Sequence, residues 1–156
     1  MTSRVAFPGT STAGITHTSA NDNKLPGGAI GYAEITADSA TWSNAAISDV
    51  AGLSQAVTVN TSRKIKITVS FSVTTSTTDA HDFYIREGST ALRGVRTAWG
   101  ASSPSNFIEF SVVINPSSGA HTYKLSAQKA NAGTGNVLAS ANNPAFILIT
   151  DEGPSF

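Results

Sequence analysis

The sequence predicts an all-β domain, an antiparallel two-sheet sandwich of jelly-roll type preceded by an extended N-terminal arm. Three observations predict it. Apolar residues alternate with polar ones in segment after segment, clusters of Gly, Asn, Ser and Pro separate those segments, and no stretch carries a convincing amphipathic helical period. Roughly eight to ten strands joined by short turns result, which is the pattern of a sandwich or jelly roll. With 156 residues the chain has the size of one domain and can bury a core without a metal or disulfide.

Residues 1–26 stand apart. They are rich in Thr, Ser, Gly and Asn, and their apolar residues Val5, Phe7, Ile15 and Leu25 are scattered singly. Such a segment cannot by itself offset its ordering entropy, so it is expected to be an arm, either flexible or ordered on another subunit. The turn-rich step Leu25-Pro26-Gly27-Gly28 opens the folded body, residues 27–156.

The first strand places Ile30, Tyr32 and Glu34 on one face and Gly31, Ala33 and Ile35 on the other. A short Thr41-Trp42 segment follows, then a strand through Leu53, Val57 and Val59 that stops at the turn Asn60-Thr61-Ser62. The clearest strand spans 64–74. There Ile65, Ile67, Val69, Phe71 and Val73 alternate without a break against Lys and hydroxyl residues, so one face meets a core and the other water. Phe83 and Ile85 mark a strand over 81–87, and Gly88-Ser89 turns the chain into 91–99. Over 105–114, Ile108, Phe110, Val112 and Ile114 share one face. The opposite face carries Phe107 and Val113 beside Glu109 and Ser111, which is unusually apolar for a solvent face. After the turn Asn115-Pro116-Ser117-Ser118-Gly119, Tyr123, Leu125 and Ala127 point inward from 121–129, and strands over 136–141 and 144–150 close the body.

Composition narrows the function. Ten basic and ten acidic residues leave no net charge, and charged residues make up only 13% of the chain. Ser and Thr supply about a quarter of it, so the surface is solvated by hydroxyls, which suits a long-lived assembly. There is no long basic run for counterion release, and Arg63, Lys64 and Lys66 read as a solvated strand face; no nucleic-acid partner is expected. The absence of cysteine removes thiol chemistry and disulfides. With no apolar run of signal-peptide or membrane-spanning length, neither export by the general route nor membrane insertion is expected.

No catalytic constellation emerges. His17, His81 and His121 are far apart, no Gly-x-Ser-x-Gly elbow occurs, and Asn131-Ala132-Gly133-Thr134-Gly135 lacks a phosphate-loop lysine. The cluster Asp79-Ala80-His81-Asp82 has cation-binding residue types, but it reads more simply as a polar strand entry, so no metal or other cofactor is expected. Asn60-Thr61-Ser62 fits the glycosylation pattern by accident in a chain without an export signal. Trp42 and Trp99 lie outside the alternating runs, near loops. They either form a ligand surface that stacks on a sugar ring or anchors a subunit, or they pack at a sheet end.

Several segments in order carry a resemblance. These are Ser19-Ala20-Asn21-Asp22-Asn23-Lys24-Leu25, the Leu25-to-Thr36 opening (Leu-Pro-Gly-Gly-Ala-Ile-Gly-Tyr-Ala-Glu-Ile-Thr), residues 50–59 with 63–68, Tyr84-Ile85-Arg86-Glu87-Gly88, and residues 144–153. Over most of residues 19–154 the chain resembles small β-sandwich virion proteins of tailed phages, especially those of actinobacteria. Where that group often has an Ala-Asp-Leu-Asn-like element, residues 19–25 stand in its place. The resemblance implies a non-enzymatic, usually trimeric component displayed on a capsid or tail. It makes the chain's expected partners itself, as a homotrimer, and the major capsid protein or tail proteins. The expected location is the virion surface, after synthesis in the host cytoplasm.

The chain has no heptads and no Gly-X-Y repeat to give reach, so a capsid decoration or minor capsid protein is favoured over a tail fibre. On this reading Val5, Phe7, Ile15 and Leu25 anchor the arm to the shell, and Phe107 and Val113 line a subunit interface. The alternative is a minor tail protein that reads a host-surface glycan near Trp42 or Trp99. A free carbohydrate-binding module is a third reading, and it leaves the arm unexplained.

Overall fold

The computed structural model describes residues 28–43, 45–78, 80–98, 105–131 and 133–155. Those residues form nine strands and no helix: β1 (Ala29–Ile35), β2 (Ser48–Val59), β3 (Arg63–Thr75), β4 (Ala80–Glu87), β5 (Thr90–Ala98), β6 (Asn106–Ile114), β7 (Gly119–Lys129), β8 (Gly135–Leu138) and β9 (Ala145–Pro154). Among them no helix is long and apolar enough to cross a membrane.

The strands follow one long hairpin folded over on itself. Strands β1 to β4 run out, and the chain turns at Gly88, whose φ of 56° suits a residue without a Cβ. It then runs back so that β4 pairs β5, β3 pairs β6, β2 pairs β7 and β1 pairs β9, all antiparallel. Two further pairings, β3 with β9 and β4 with β7, join these rungs into two sheets ordered β1-β9-β3-β6 and β2-β7-β4-β5. This is a jelly roll, as the alternating pattern predicts. The short β8 is an extra strand that continues the β9 side of β3.

Period-two patterning builds the core. Ile65, Ile67, Val69, Phe71 and Val73 of β3 are buried against Phe83 and Ile85 of β4, Tyr123, Leu125 and Ala127 of β7, and Ile147 and Ile149 of β9. Phe71 lies at the centre, with ring centroids 4.9 Å from Phe83 and 6.5 Å from Phe110.

The connection between β1 and β2 closes one end of the sandwich. Trp42 exchanges backbone hydrogen bonds with Gly135, at 2.9 and 3.1 Å, and its buried side chain stands edge-on to Phe83. Gly135 has to be glycine there, because a Cβ would overlap the His81 ring and press on Trp42. Gly135→Ala is therefore expected to lower the urea midpoint with an unchanged m-value, since the fold is kept and only the end packing strained.

The other end is held by Arg63, which does not share the solvated face expected for it with Lys64 and Lys66: it is 4% exposed and donates to both oxygens of Asp151 at 2.9–3.0 Å.

Candidate interface: the outer face of the five-stranded sheet

Residues that alternate with the core residues cover the two outer faces of the sandwich, and the two faces differ in kind. On the sheet β2-β7-β4-β5 the outer residues pair with one another. Arg96 donates to both oxygens of Asp82, at 2.6 and 2.8 Å. Asp49 accepts from Lys124 at 2.5 Å and from Ser126 at 2.7 Å, with Arg86 at 3.7 Å. Partial burial pushes the Asp49 carboxyl upward, and these donors more than offset that, leaving it below the ordinary range. The face is a surface of paired charges of ordinary type, whose exposed pairs each contribute about 0–1 kcal/mol.

The sheet β1-β9-β3-β6 presents something else. Its register lines up the rows Glu34–Phe146–Ser70–Glu109 and Tyr32–Leu148–Thr68–Ser111, then Thr150–Lys66–Val113 and Ser72–Phe107. Tyr32 is 49% exposed, Val113 54% and Phe107 66%, the largest exposure among the big apolar side chains described. Tyr32 packs on Phe146 with ring centroids 5.8 Å apart, and its hydroxyl donates to Glu34 at 2.6 Å. That bond, with some desolvation and the nearby negative charge, raises the Tyr32 pKa. Between the apolar groups lie the hydroxyls of Thr68, Ser70, Ser72 and Ser111 and the charged side chains of Glu34, Lys66 and Glu109. Such a face offers apolar contact and adaptable hydrogen bonds rather than bond-making chemistry.

The sequence-predicted site residues fall in three places. Phe107 and Val113 lie on this outer face and are exposed there. The arm residues Val5, Phe7, Ile15 and Leu25, together with Trp99, lie outside the described residues. Trp42 does not belong to a ligand surface: at 4% exposure it is a core residue, and its indole Nε1 donates to His81 Nδ1 at 3.3 Å. Its flanking residues look loop-like because only an isolated bridge to Gly135 brings it in.

Of the Asp79-to-Asp82 cluster, Asp79 is outside the described residues, His81 packs against both Trp42 and Phe83, and Asp82 turns outward to Arg96. The pleat sends His81 and Asp82 to opposite faces of β4. Among the described residues no three His, Asp or Glu side chains converge.

Sequence reasoning missed the contributions of Phe146 and Leu148. Both sit in the run 144–150, whose apolar residues on both faces hid which ones point outward. Tyr32 was visible as an alternating residue, but the sequence does not say which of the two faces of β1 is buried.

One titratable group outside this face has a specific consequence. His121 lies between two acceptors, Glu87 Oε1 at 2.6 Å from Nδ1 and the Ser117 carbonyl at 2.9 Å from Nε2. Both ring nitrogens can donate only in the imidazolium, so the bond to Glu87 first, then the bond to Ser117 and the carboxylate's charge, raise the His121 pKa. A raised folded value stabilises the fold fully below the ordinary value of 6.5, and that contribution is lost as pH rises through the folded value. Thermal melts from pH 5.5 to 8.5 should therefore lose stability in that direction, and His121→Gln should flatten the slope.

No family model matches the chain, and no curated protein matches it. Among solved structures it is similar to Eiger TNF from S. frugiperda, with a TM-score of 0.55 and 12% identity over 83% of this chain and 96% of that one. It also aligns with the VP2 subviral particle of infectious bursal disease virus at a TM-score of 0.35 and 13% identity, covering 96% of this chain and 43% of the VP2 chain. The likeness to the Eiger TNF structure is one of fold: this chain is a jelly-roll sandwich.

Proposed function

We propose that the chain is a non-enzymatic structural protein of a tailed-phage virion, a homotrimeric capsid decoration protein. Its β bodies pack together through the outer face of the β1-β9-β3-β6 sheet, and residues 1–26 attach it to the shell. The observation that carries the reading is the contrast between the two outer faces. One neutralises its own charges, and the other leaves Tyr32, Phe107 and Val113 in water among hydroxyls. The ordered resemblance along residues 19–154 and the low charged fraction support the same reading. Many weak contacts acting together then make a multivalent cap that stays on the particle.

Leu148 sits half-buried in the second row of this face, on a strand flanked by β1 and β3. Leu148→Glu is expected to convert a trimer into monomers by sedimentation with an unchanged circular-dichroism spectrum. An unchanged mass would remove this face from the interface. Deleting residues 1–26 should leave a folded trimer that no longer binds particles. Loss of the fold in that deletion, or electron-microscopy density confined to the tail, would overturn the proposed attachment.

A further inference from the structure

Sheet edges carry unpaired N–H and C=O groups, and natural proteins blunt them with bulges, charges or cover. Four strands end the two sheets here: β1 and β6, β2 and β5. Three of them are blunted. The β1 ladder breaks register between Ala29 and Gly31, and β2 breaks between Asp49 and Ser54 around Gly52, whose φ is 85°. These two edges also cover each other, since a Cβ on Gly31 would overlap Val57 and Gln55. The β5 ladder shifts register opposite Ile85 and Arg86, and β5 carries Arg93, Gly94 and Arg96. The β6 edge differs. Its nine residues pair β3 in one unbroken register, with no Pro, no Gly and one charge, Glu109.

Which groups β6 leaves open follows from the other side of β3. Val137 uses its N–H on Ser39 Oγ and its C=O on the Ser39 N–H, both away from β3. The residues of β8 that bond β3 are thus Asn136 and Leu138, opposite Thr74 and Ser72. Even-numbered residues of β3 therefore bond that side, and odd-numbered ones bond β6 through its even-numbered residues. Phe107, Glu109, Ser111 and Val113 direct their backbone groups outward from the sheet edge.

We propose that this edge pairs antiparallel with β6 of a second copy, about a two-fold axis at Phe110. That register sets Phe107 opposite the partner copy's residue 113, and Glu109 opposite its residue 111. Two exposed apolar side chains then cover each other, and a carboxylate meets a hydroxyl. The neighbouring registers that also align the open groups are worse: one sets Glu109 against itself, and the other leaves Phe107 beyond the paired region. Odd shifts would carry Phe107 to the core side of the joined sheet. The pairing's hydrogen bonds lie in the plane of the sheet; of the proposed trimer face it engages only the edge side chains Phe107 and Val113, and it leaves Tyr32, Phe146 and Leu148 free. It therefore requires neither the trimer nor the virion reading, and where trimers form it joins neighbouring ones.

The chain contains no cysteine, so register can be read by cross-linking the full-length protein. The double variant F107C/V113C brings each introduced thiol opposite its counterpart in the second copy, within disulfide reach. Within one strand the two are about 20 Å apart and cannot close on each other. Mild oxidation is expected to give a covalent dimer from the double variant and not from F107C or V113C alone.

Amide exchange gives a second readout. The amides of residues 107, 109, 111 and 113 are expected to be protected at high concentration and to lose that protection about tenfold on dilution or in V113K. Cross-linking of single variants as readily as the double, no cross-linking at all, or protection unchanged by dilution would each overturn the pairing. Protection lost only when residues 1–26 are deleted would assign the edge to the arm instead. Leu148→Glu, which tests the trimer, should still cross-link in the F107C/V113C background, so the two proposals fail separately.

Discussion

Replacing Trp42 by alanine should destabilise the domain by about 3–5 kcal/mol, the cost of deleting a large aromatic side chain from a packed core. Trp42 is 4% exposed, stands edge-on to Phe83 and His81, and gives its indole N–H to His81. The substitution removes packing area and takes away the buried donor that His81 Nδ1 accepts from. For a domain of this length the melting temperature should fall on the order of 10 °C. Trp42→Phe should recover much of that loss by restoring the ring contact without the hydrogen bond. Equilibrium urea unfolding checks both. If Trp42 instead stacked on a glycan, Trp42→Ala would leave the midpoint where it is.

Asp151→Ala is expected to have a similar effect, about 3–5 kcal/mol, for an electrostatic reason. The Arg63 guanidinium is almost wholly buried where β3 begins, and both oxygens of Asp151 accept from it. Asp151 Oδ1 also accepts from the Gly153 N–H at 2.9 Å, so the carboxylate holds the end of β9 as well. Removing it takes from a buried cation the carboxylate to which it donates and frees the turn in β9. The double variant Arg63→Met with Asp151→Leu should be much closer to wild type than Asp151→Ala, because no buried charge remains to be desolvated. A double-mutant cycle from thermal or urea melts measures the coupling. A double variant as unstable as Asp151→Ala would show that packing, not charge, sets the effect.

Much of this architecture is legible in the sequence because one rule governs both. Alternation over 64–74, 105–114 and 121–129 names the buried apolar residues of β3, β6 and β7, since a strand with one face in a core must alternate, and misses the buried Ser70, Ser126 and Lys129. Turn residues at Gly88-Ser89 and 115–119 mark where the chain reverses. Strand order was not legible. β1 pairs with β9 more than a hundred residues away, and β2 with β7 60 to 79 residues away, so no local signal reports either pairing.

The proposed interface face is half legible in the sequence. Phe107 and Val113 stand out as apolar residues on the wrong side of an alternating strand. Tyr32, Phe146 and Leu148 join them only once register places β1, β9, β3 and β6 side by side. Trp42 was misplaced because its burial depends on a single backbone bridge between two loop-like segments, and neither carries a period.

The folded-hairpin layout has a consequence for how the chain matures on the ribosome. β9 lies between β1 and β3, yet it is the last of the described strands to be synthesised. At usual elongation rates β1 waits roughly 5 to 20 s for the strand that pairs with it. Only late in that interval does β3 gain its β6 neighbour, still without β9, and until β9 arrives most of the hydrophobic slab cannot close. The nascent chain is therefore expected to spend its synthesis time with open ladders and exposed Val and Ile. Its yield in cells should then depend more on chaperone occupancy and translation speed than on the stability of the finished domain.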